Sequence, residues 1–152
     1  MSDTGLFNTL HHVCIVVRDM SASVAFYESV GVGPWHDFPS LAPYQSDLQV
    51  PDTGAFLKLR YRYARLANIQ LQLCEPGEGN TPQRRFLETR GEGVFHLGFT
   101  VPNCDAAEAQ GLALGLKTLM HGRLPDRSGF TYFDTIDKGA GVTLEVRANR
   151  LS

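Results

Sequence analysis

The chain has 152 residues, a formal net charge of −2, and is 43% hydrophobic and 20% charged, a profile that suits an ordinary globular protein with enough apolar material for a core. A charge this near zero excludes a general field for capturing nucleic acid or an anionic membrane. No apolar run approaches the roughly 18–20 residues needed to cross a bilayer, and the opening MSDTGLFNTLHH lacks the basic-then-apolar pattern of a secretory signal. Cys14, Cys74 and Cys104 are widely spaced, with no Cys-x-x-Cys pair. They argue against a disulfide framework or a zinc knot and point to reduced thiols in a cytoplasm.

The elements fall into an internal repeat. Residues 12–31 read HVCIVVRDMSASVAFYESVG, and residues 96–115 read HLGFTVPNCDAAEAQGLALG. Each begins with His, runs through a short apolar strand, turns, and continues as a helix that stops at Gly. Asp19 and Ser21 in the first copy match Asn103 and Asp105 in the second. All four are residue types that cap helix N-termini. Gly31 and Gly115 suit the left-handed stop after a helix. Further strands are expected over 33–39, 54–63 and 66–75 in the first half. Their counterparts in the second half are 117–123, 128–136 and 141–147. Pro and Gly punctuate both sets. Residues 40–53 carry little periodicity, and a hairpin is expected around Arg60 to Ala67. These are the stretches where function-specific loops would lie. The expected fold is α+β: one domain of two tandem βαβββ modules, about 8–76 and about 92–148, whose curved sheets face each other around a site.

Strand residues alternate between two faces. Val13, Ile15 and Val17 oppose His12, Cys14 and Val16. Ile69, Leu71 and Leu73 oppose Gln70, Gln72 and Cys74. Phe95, Leu97, Phe99 and Val101 oppose His96, Gly98 and Thr100. Val142, Leu144 and Val146 oppose Thr143, Glu145 and Arg147. The apolar phase is expected under the helices. The second phase collects His12, Gln72, His96 and Glu145, with one imidazole from each half's first strand and one oxygen donor from each half's last. A lone His on a strand is more often a satisfied core residue than a ligand, so it is the repetition that singles out these four.

At these residues the chain resembles the vicinal oxygen chelate superfamily of glyoxalase I, methylmalonyl-CoA epimerase, extradiol dioxygenases and bleomycin- and fosfomycin-resistance proteins. HHVCIVVRDMSASVAFYESVG is similar to its opening strand and helix, IQLQLCEP to the strand of the second ligand, GVFHLGFTV to the start of the second module, and GVTLEV to the last strand. The resemblance spans roughly residues 8–148. It implies one divalent cation (Co, Ni, Mn, Fe or Zn) held by His12, Gln72, His96 and Glu145. The set of four sets the chain apart from resistance proteins that lack the ligands and from three-ligand dioxygenases. Gln72 at the second position and GVGPW (Gly31 to Trp35) look closest to the epimerase-like branch.

Two nitrogens and two oxygens would leave open positions for a substrate with two chelating oxygens. The resemblance then implies an isomerase or epimerase that removes a proton next to a carbonyl, on a CoA thioester such as methylmalonyl-CoA. The alternatives are a glyoxalase-type isomerase or lyase on another chelating substrate, and a non-catalytic sequestering protein of the same fold. Glu145 and Asp52 are the candidate proton carriers. Asp52 stands where epimerases carry a Glu, and PDTG is equally a turn sequence. Tyr132, with Asp134 in FTYFDT, is the candidate substrate contact. Arg60, Arg62 and Arg65 with Tyr61 and Tyr63 form a basic aromatic hairpin that a phosphate handle could use, although a solvated hairpin is the simpler reading. His36 and His121 read as surface residues, and Cys14 as a small apolar filler. A small-molecule substrate is expected, with no nucleic-acid or membrane partner, and a homodimer is allowed.

Overall fold

The computed structural model describes residues 5–149. Nine strands and four α-helices run in the order β1 (Leu10–Val16), α1 (Met20–Ser29), β2 (His36–Asp37), a 3-10 turn (Ala42–Asp47), β3 (Leu48–Gln49), α2 (Thr53–Leu57), β4 (Arg60–Arg65), β5 (Gln70–Glu75), α3 (Pro82–Arg90), β6 (Gly93–Thr100), α4 (Cys104–Ala113), β7 (Thr118–Arg123), β8 (Gly129–Phe133) and β9 (Thr143–Ala148). The α+β class and the two βα openings are as the repeat implies. Asp19 Oδ1 accepts from the Ala22 backbone N–H at 3.0 Å, and Asn103 Oδ1 from that of Ala106 at 2.9 Å. Each side chain thereby satisfies a donor left over in its helix's first turn. Gly31 and Gly115 follow α1 and α4 with φ of 90° and 93°, a conformation in which a Cβ would be strained.

The chain divides into two compact units, and their boundaries differ from the expected modules. One unit holds His12–Ser40 and Pro51–Phe95; the other holds, of the described residues, 5–11, 41–50 and 96–149. Segment 41–50 therefore belongs with the second repeat. The reason lies in backbone pairing: β3 is antiparallel to β7, with Leu48 opposite Gly122 and Gln49 opposite His121.

In the first unit the strand order is β2-β4-β5-β1. The pair β1–β5 is parallel, with His12 opposite Gln70 and Cys14 opposite Gln72. Val17, Met20, Val24, Trp35, Ala64 and Leu73 make its core, with Ile15 and Leu71 packed against them. The apolar phase of β1 and β5 thus meets α1, as alternation requires. The opposite phase is buried too: Cys14, Val16 and Cys74 are inaccessible, and His12 and Gln72 nearly so. Burial pushes the Cys74 thiol up to about 12, which keeps it protonated and unreactive.

One expectation fails in this unit, and one element was not anticipated. Residues 54–57 are helix, not strand, because Asp52 caps α2 and its turn buries Ala55 and Phe56. Pro82–Arg90 is a helix that the repeat does not contain. Its signals are nonetheless in the sequence: Thr81 accepts from Arg84 N–H, Pro82 opens the first turn, and Gly91 ends the helix at φ 83°.

In the second unit the order is β6-β9-β8-β7-β3. The pair β6–β9 is parallel, with Gly98 opposite Glu145. Tyr132 of β8 lies opposite Glu145 of β9. Val101, Cys104, Ala107, Phe133, Val146 and Ala148 form the core beside α4, joined by Leu6.

Candidate functional site

His96 and Glu145 stand on adjoining strands of one unit. His96 Nε2 lies 3.8 Å from Glu145 Oε2, and both side chains are buried, His96 completely. With both ring nitrogens protonated the two would form an ion pair. With Nε2 unprotonated, the nitrogen and the carboxylate oxygen are two donor atoms close enough to ligate one cation. Desolvating a carboxylate without a partner or a metal is costly, so the pairing has a physical reason in either state. Tyr132 completes this cluster. Its ring meets the His96 imidazole edge-on, with centroids 4.9 Å apart at 84°. The sequence candidate for substrate contact is therefore packed on a candidate ligand. Asp134, its companion in FTYFDT, is exposed beyond the end of β8.

In the other unit, His12 and Gln72 stand on adjoining strands β1 and β5. Register puts Cys14 opposite Gln72, so His12 and Gln72 share a face and are offset by one pleat. The Gln72 side-chain amide Nε2 donates to Gln70 Oε1 at 2.7 Å. That bond orients the amide and leaves its oxygen as the atom suited to a cation. Cys14 on the same face is fully buried, in keeping with a filler.

Among the described residues, His12 of one unit and His96 and Glu145 of the other are all buried. Two imidazoles and a carboxylate, with an amide oxygen in Gln72, are a donor set that borderline divalent cations accept. The residues present thus fit the implied ion.

Asp52 caps α2: its Oδ1 accepts from Ala55 N–H at 3.0 Å and its Oδ2 from Asn80 N–H at 3.3 Å. The backbone bond from Ala55, then that from Asn80, hold its carboxyl below the usual range. Neither of these carboxyl bonds runs to His12 or Gln72.

The basic hairpin is not one patch. Alternation sends Arg60 and Arg62 to one face and Tyr61, Tyr63 and Arg65 to the other. Arg60 pairs with Glu75 at 3.1 Å and Arg62 with Asp37 at 3.3 Å, whereas Tyr61 accepts from Gln83 Nε2 at 2.8 Å. Nor is His121 a simple surface residue. It bonds Glu108 through Nδ1 at 2.9 Å within a charged network around Arg123. Sequence reasoning missed that network, because its members come from the 3-10 turn, α4, β7 and β8, and no local pattern links them. His36 is exposed, as expected.

A profile described as glyoxalase/bleomycin resistance protein/dioxygenase superfamily matches residues 11–133. The chain belongs to that superfamily. Among solved structures similar to this superfamily member is methylmalonyl-CoA epimerase from Mycobacterium tuberculosis. The two are 22% identical with a TM-score of 0.73, over 99% of this chain and 94% of that one. A variant of the Streptomyces coelicolor methylmalonyl-CoA epimerase in complex with 2-nitronate-propionyl-CoA is also 22% identical. Its TM-score is 0.71, over 94% of this chain and 98% of its own. The uncharacterised protein YqjC of Bacillus subtilis (strain 168) is 27% identical over 107 residues, which is 70% of this chain and 66% of that protein. Likeness at these identities establishes the superfamily fold. No helix among the described residues is long and apolar enough to cross a membrane.

Proposed function

We propose that this protein is a divalent-metal-dependent isomerase of the epimerase type, which moves a proton on a carbon next to a carbonyl. The observation that carries the reading is the buried pair of His96 and Glu145, with Nε2 3.8 Å from Oε2, to which the reading adds His12 and Gln72 as ligands. A bound Co, Ni, Mn, Fe or Zn ion would supply Lewis-acid stabilisation of the negative charge that develops on a carbonyl oxygen. The residues do the rest. His12 and His96 would hold the cation through imidazole nitrogen, and the Gln72 amide, whose Nε2 donates to Gln70, would offer its oxygen. Glu145 is a ligand and also a proton acceptor. Tyr132, on the strand next to Glu145, lies within the same cluster and borders the substrate. The substrate class is a small molecule with two neighbouring oxygens, and a CoA thioester such as methylmalonyl-CoA is the first to test, since epimerases of that substrate share this fold.

Epimerisation needs proton transfer on both faces of the carbon. We assign the second carrier to Asp52. Its capping bonds make it a weak base at rest, so in this role it must exchange at least one backbone partner for substrate. Asp52→Asn keeps a good N-cap and removes the basic site; Asp52→Ala removes both. An Asn variant that folds normally and loses deuterium exchange at the carbon next to the thioester would support the assignment. Full exchange in that variant would remove Asp52 from the mechanism.

The same capping bonds favour a second reading, a glyoxalase-type isomerase or a lyase in which Glu145 alone carries the proton. The decisive experiment offers native protein Co, Ni, Mn or Zn, measures bound metal, and follows deuterium uptake into methylmalonyl-CoA. Stoichiometric metal with exchange supports the epimerase. Metal without exchange into any CoA thioester leaves the second reading. Failure to bind any of these ions refutes both and leaves a sequestering protein.

A further inference from the structure

A row of aromatic rings leads from segment 41–50 to His96 within one unit. Tyr44, in the 3-10 turn, meets Phe130 with centroids 5.2 Å apart at 70°. Phe130 meets Tyr132 at 5.5 Å and 78°, and Tyr132 meets His96 at 4.9 Å and 84°. Each contact is edge-to-face, the arrangement that the ring quadrupole favours and that fixes the angle between planes. Phe130 and Tyr132 are buried and Tyr44 is half-buried.

The near end of the row is held firmly. Leu48 and Gln49 pair with β7. Asp47 Oδ2 accepts from Arg127 Nη1 at 2.7 Å, and Arg127 in turn bonds Asp105 at the start of α4. Gly122 makes room for the row. A Cβ there would lie 2.8 Å from two atoms of the Phe130 ring and 3.2 Å from Leu48 Cδ1. The glycine thus leaves the space that the Phe130 ring occupies beside β7.

We infer that Tyr44 and Phe130 are positioning residues for His96: they hold Tyr132 edge-on against the imidazole and so fix the plane in which it presents its nitrogen. The inference rests on the metal reading for its purpose, but not for its geometry. A cation accepts an imidazole lone pair over a narrow range of directions, and groups that orient a ligand affect binding although they never touch the ion. Segment 41–50 would on this account be structural support for the ligand, delivered from an otherwise irregular stretch.

The test uses Tyr44→Leu, Tyr44→Phe and Phe130→Leu in the full chain. The first and third keep apolar volume and lose a ring; the second keeps the ring. Two readouts are taken: the imidazole signals of His96 by NMR in metal-free protein, and cobalt affinity with the visible spectrum of the cobalt-loaded protein. We expect Tyr44→Leu and Phe130→Leu to move the His96 signals and weaken cobalt binding about tenfold, in the range of orienting groups around metal ligands. Tyr44→Phe restores both, and the signals of His36, in the other unit, stay in place. If Tyr44→Leu leaves both the His96 signals and the cobalt affinity at native values, the inference is overturned. Should native protein bind no cobalt, the metal reading falls, and the NMR arm alone still decides whether the rings orient His96. Should Phe130→Leu fail to fold, the half-buried Tyr44 pair of variants carries the decision.

Discussion

Arg123 offers a sharp test of how this unit is held together. Its side chain is 1% exposed and donates to Asp105 at 2.9 Å, Glu108 at 2.7 Å, Thr131 Oγ1 at 2.9 Å and the carbonyls of Phe130 and Gly122 at 2.6 and 3.1 Å. Arg123→Met keeps much of the volume and removes the charge. Breaking a buried ion pair from one side costs about 3–5 kcal/mol, because the partner's charge stays behind. Here the lower end applies. Asp105 retains two bonds from Arg127, and Glu108 retains Thr131 at 2.6 Å and His121 at 2.9 Å. A loss of about 3 kcal/mol corresponds to a fall in Tm of roughly 6–12 °C for a chain of this length. Urea unfolding and calorimetry of native and variant protein measure it. Adding Glu108→Gln should recover part of the loss, since the stranded carboxylate is then gone. A loss below about 1 kcal/mol, the level of an exposed pair, would refute the reasoning.

Three further outcomes are expected. Adding a binding cation to metal-free protein at about a hundred times its Kd should stabilise it by about 2.7 kcal/mol; the rise in Tm should reverse with chelator and be absent in His96→Ala. Asp105 is held down to about 2, chiefly by the Arg127 bond and then by Arg123, against an ordinary 3.8. Its contribution is therefore fully present above the ordinary value and is lost as pH falls from there toward 2; in Asp105→Asn the urea midpoint should change less over that window. Gly111→Ala gains helix propensity, but its Cβ would lie 2.4 Å from Phe133 Cζ. That ring is fully buried, so overpacking of about 1–3 kcal/mol should win, and a rise in Tm would contradict this.

What could be read along the chain was what repeats or is local. The duplicated His, strand, capping residue and glycine mark β1–α1 and β6–α4, because alternation and helix capping act over a few residues. That alternation also put His12 and Gln72 on one face and His96 and Glu145 on another. The helix at 82–90 was equally legible, in Thr81, Pro82 and Gly91, but lies outside the repeat. Tertiary structure decided what depends on partners far along the chain. Segment 41–50 has no periodicity of its own, and its place follows from backbone bonds to β7 and from the charge of Arg127. Asp52 reads alike as a base or a turn residue; only the fold shows that it caps α2 and also accepts from Asn80, 28 residues away. Tyr132 could be chosen from its strand, but its packing on His96, and the support from Phe130 and Tyr44 behind it, arise only when three separate segments are brought together. Pattern in a sequence records which face a side chain takes; the neighbour across the sheet determines what that side chain can do.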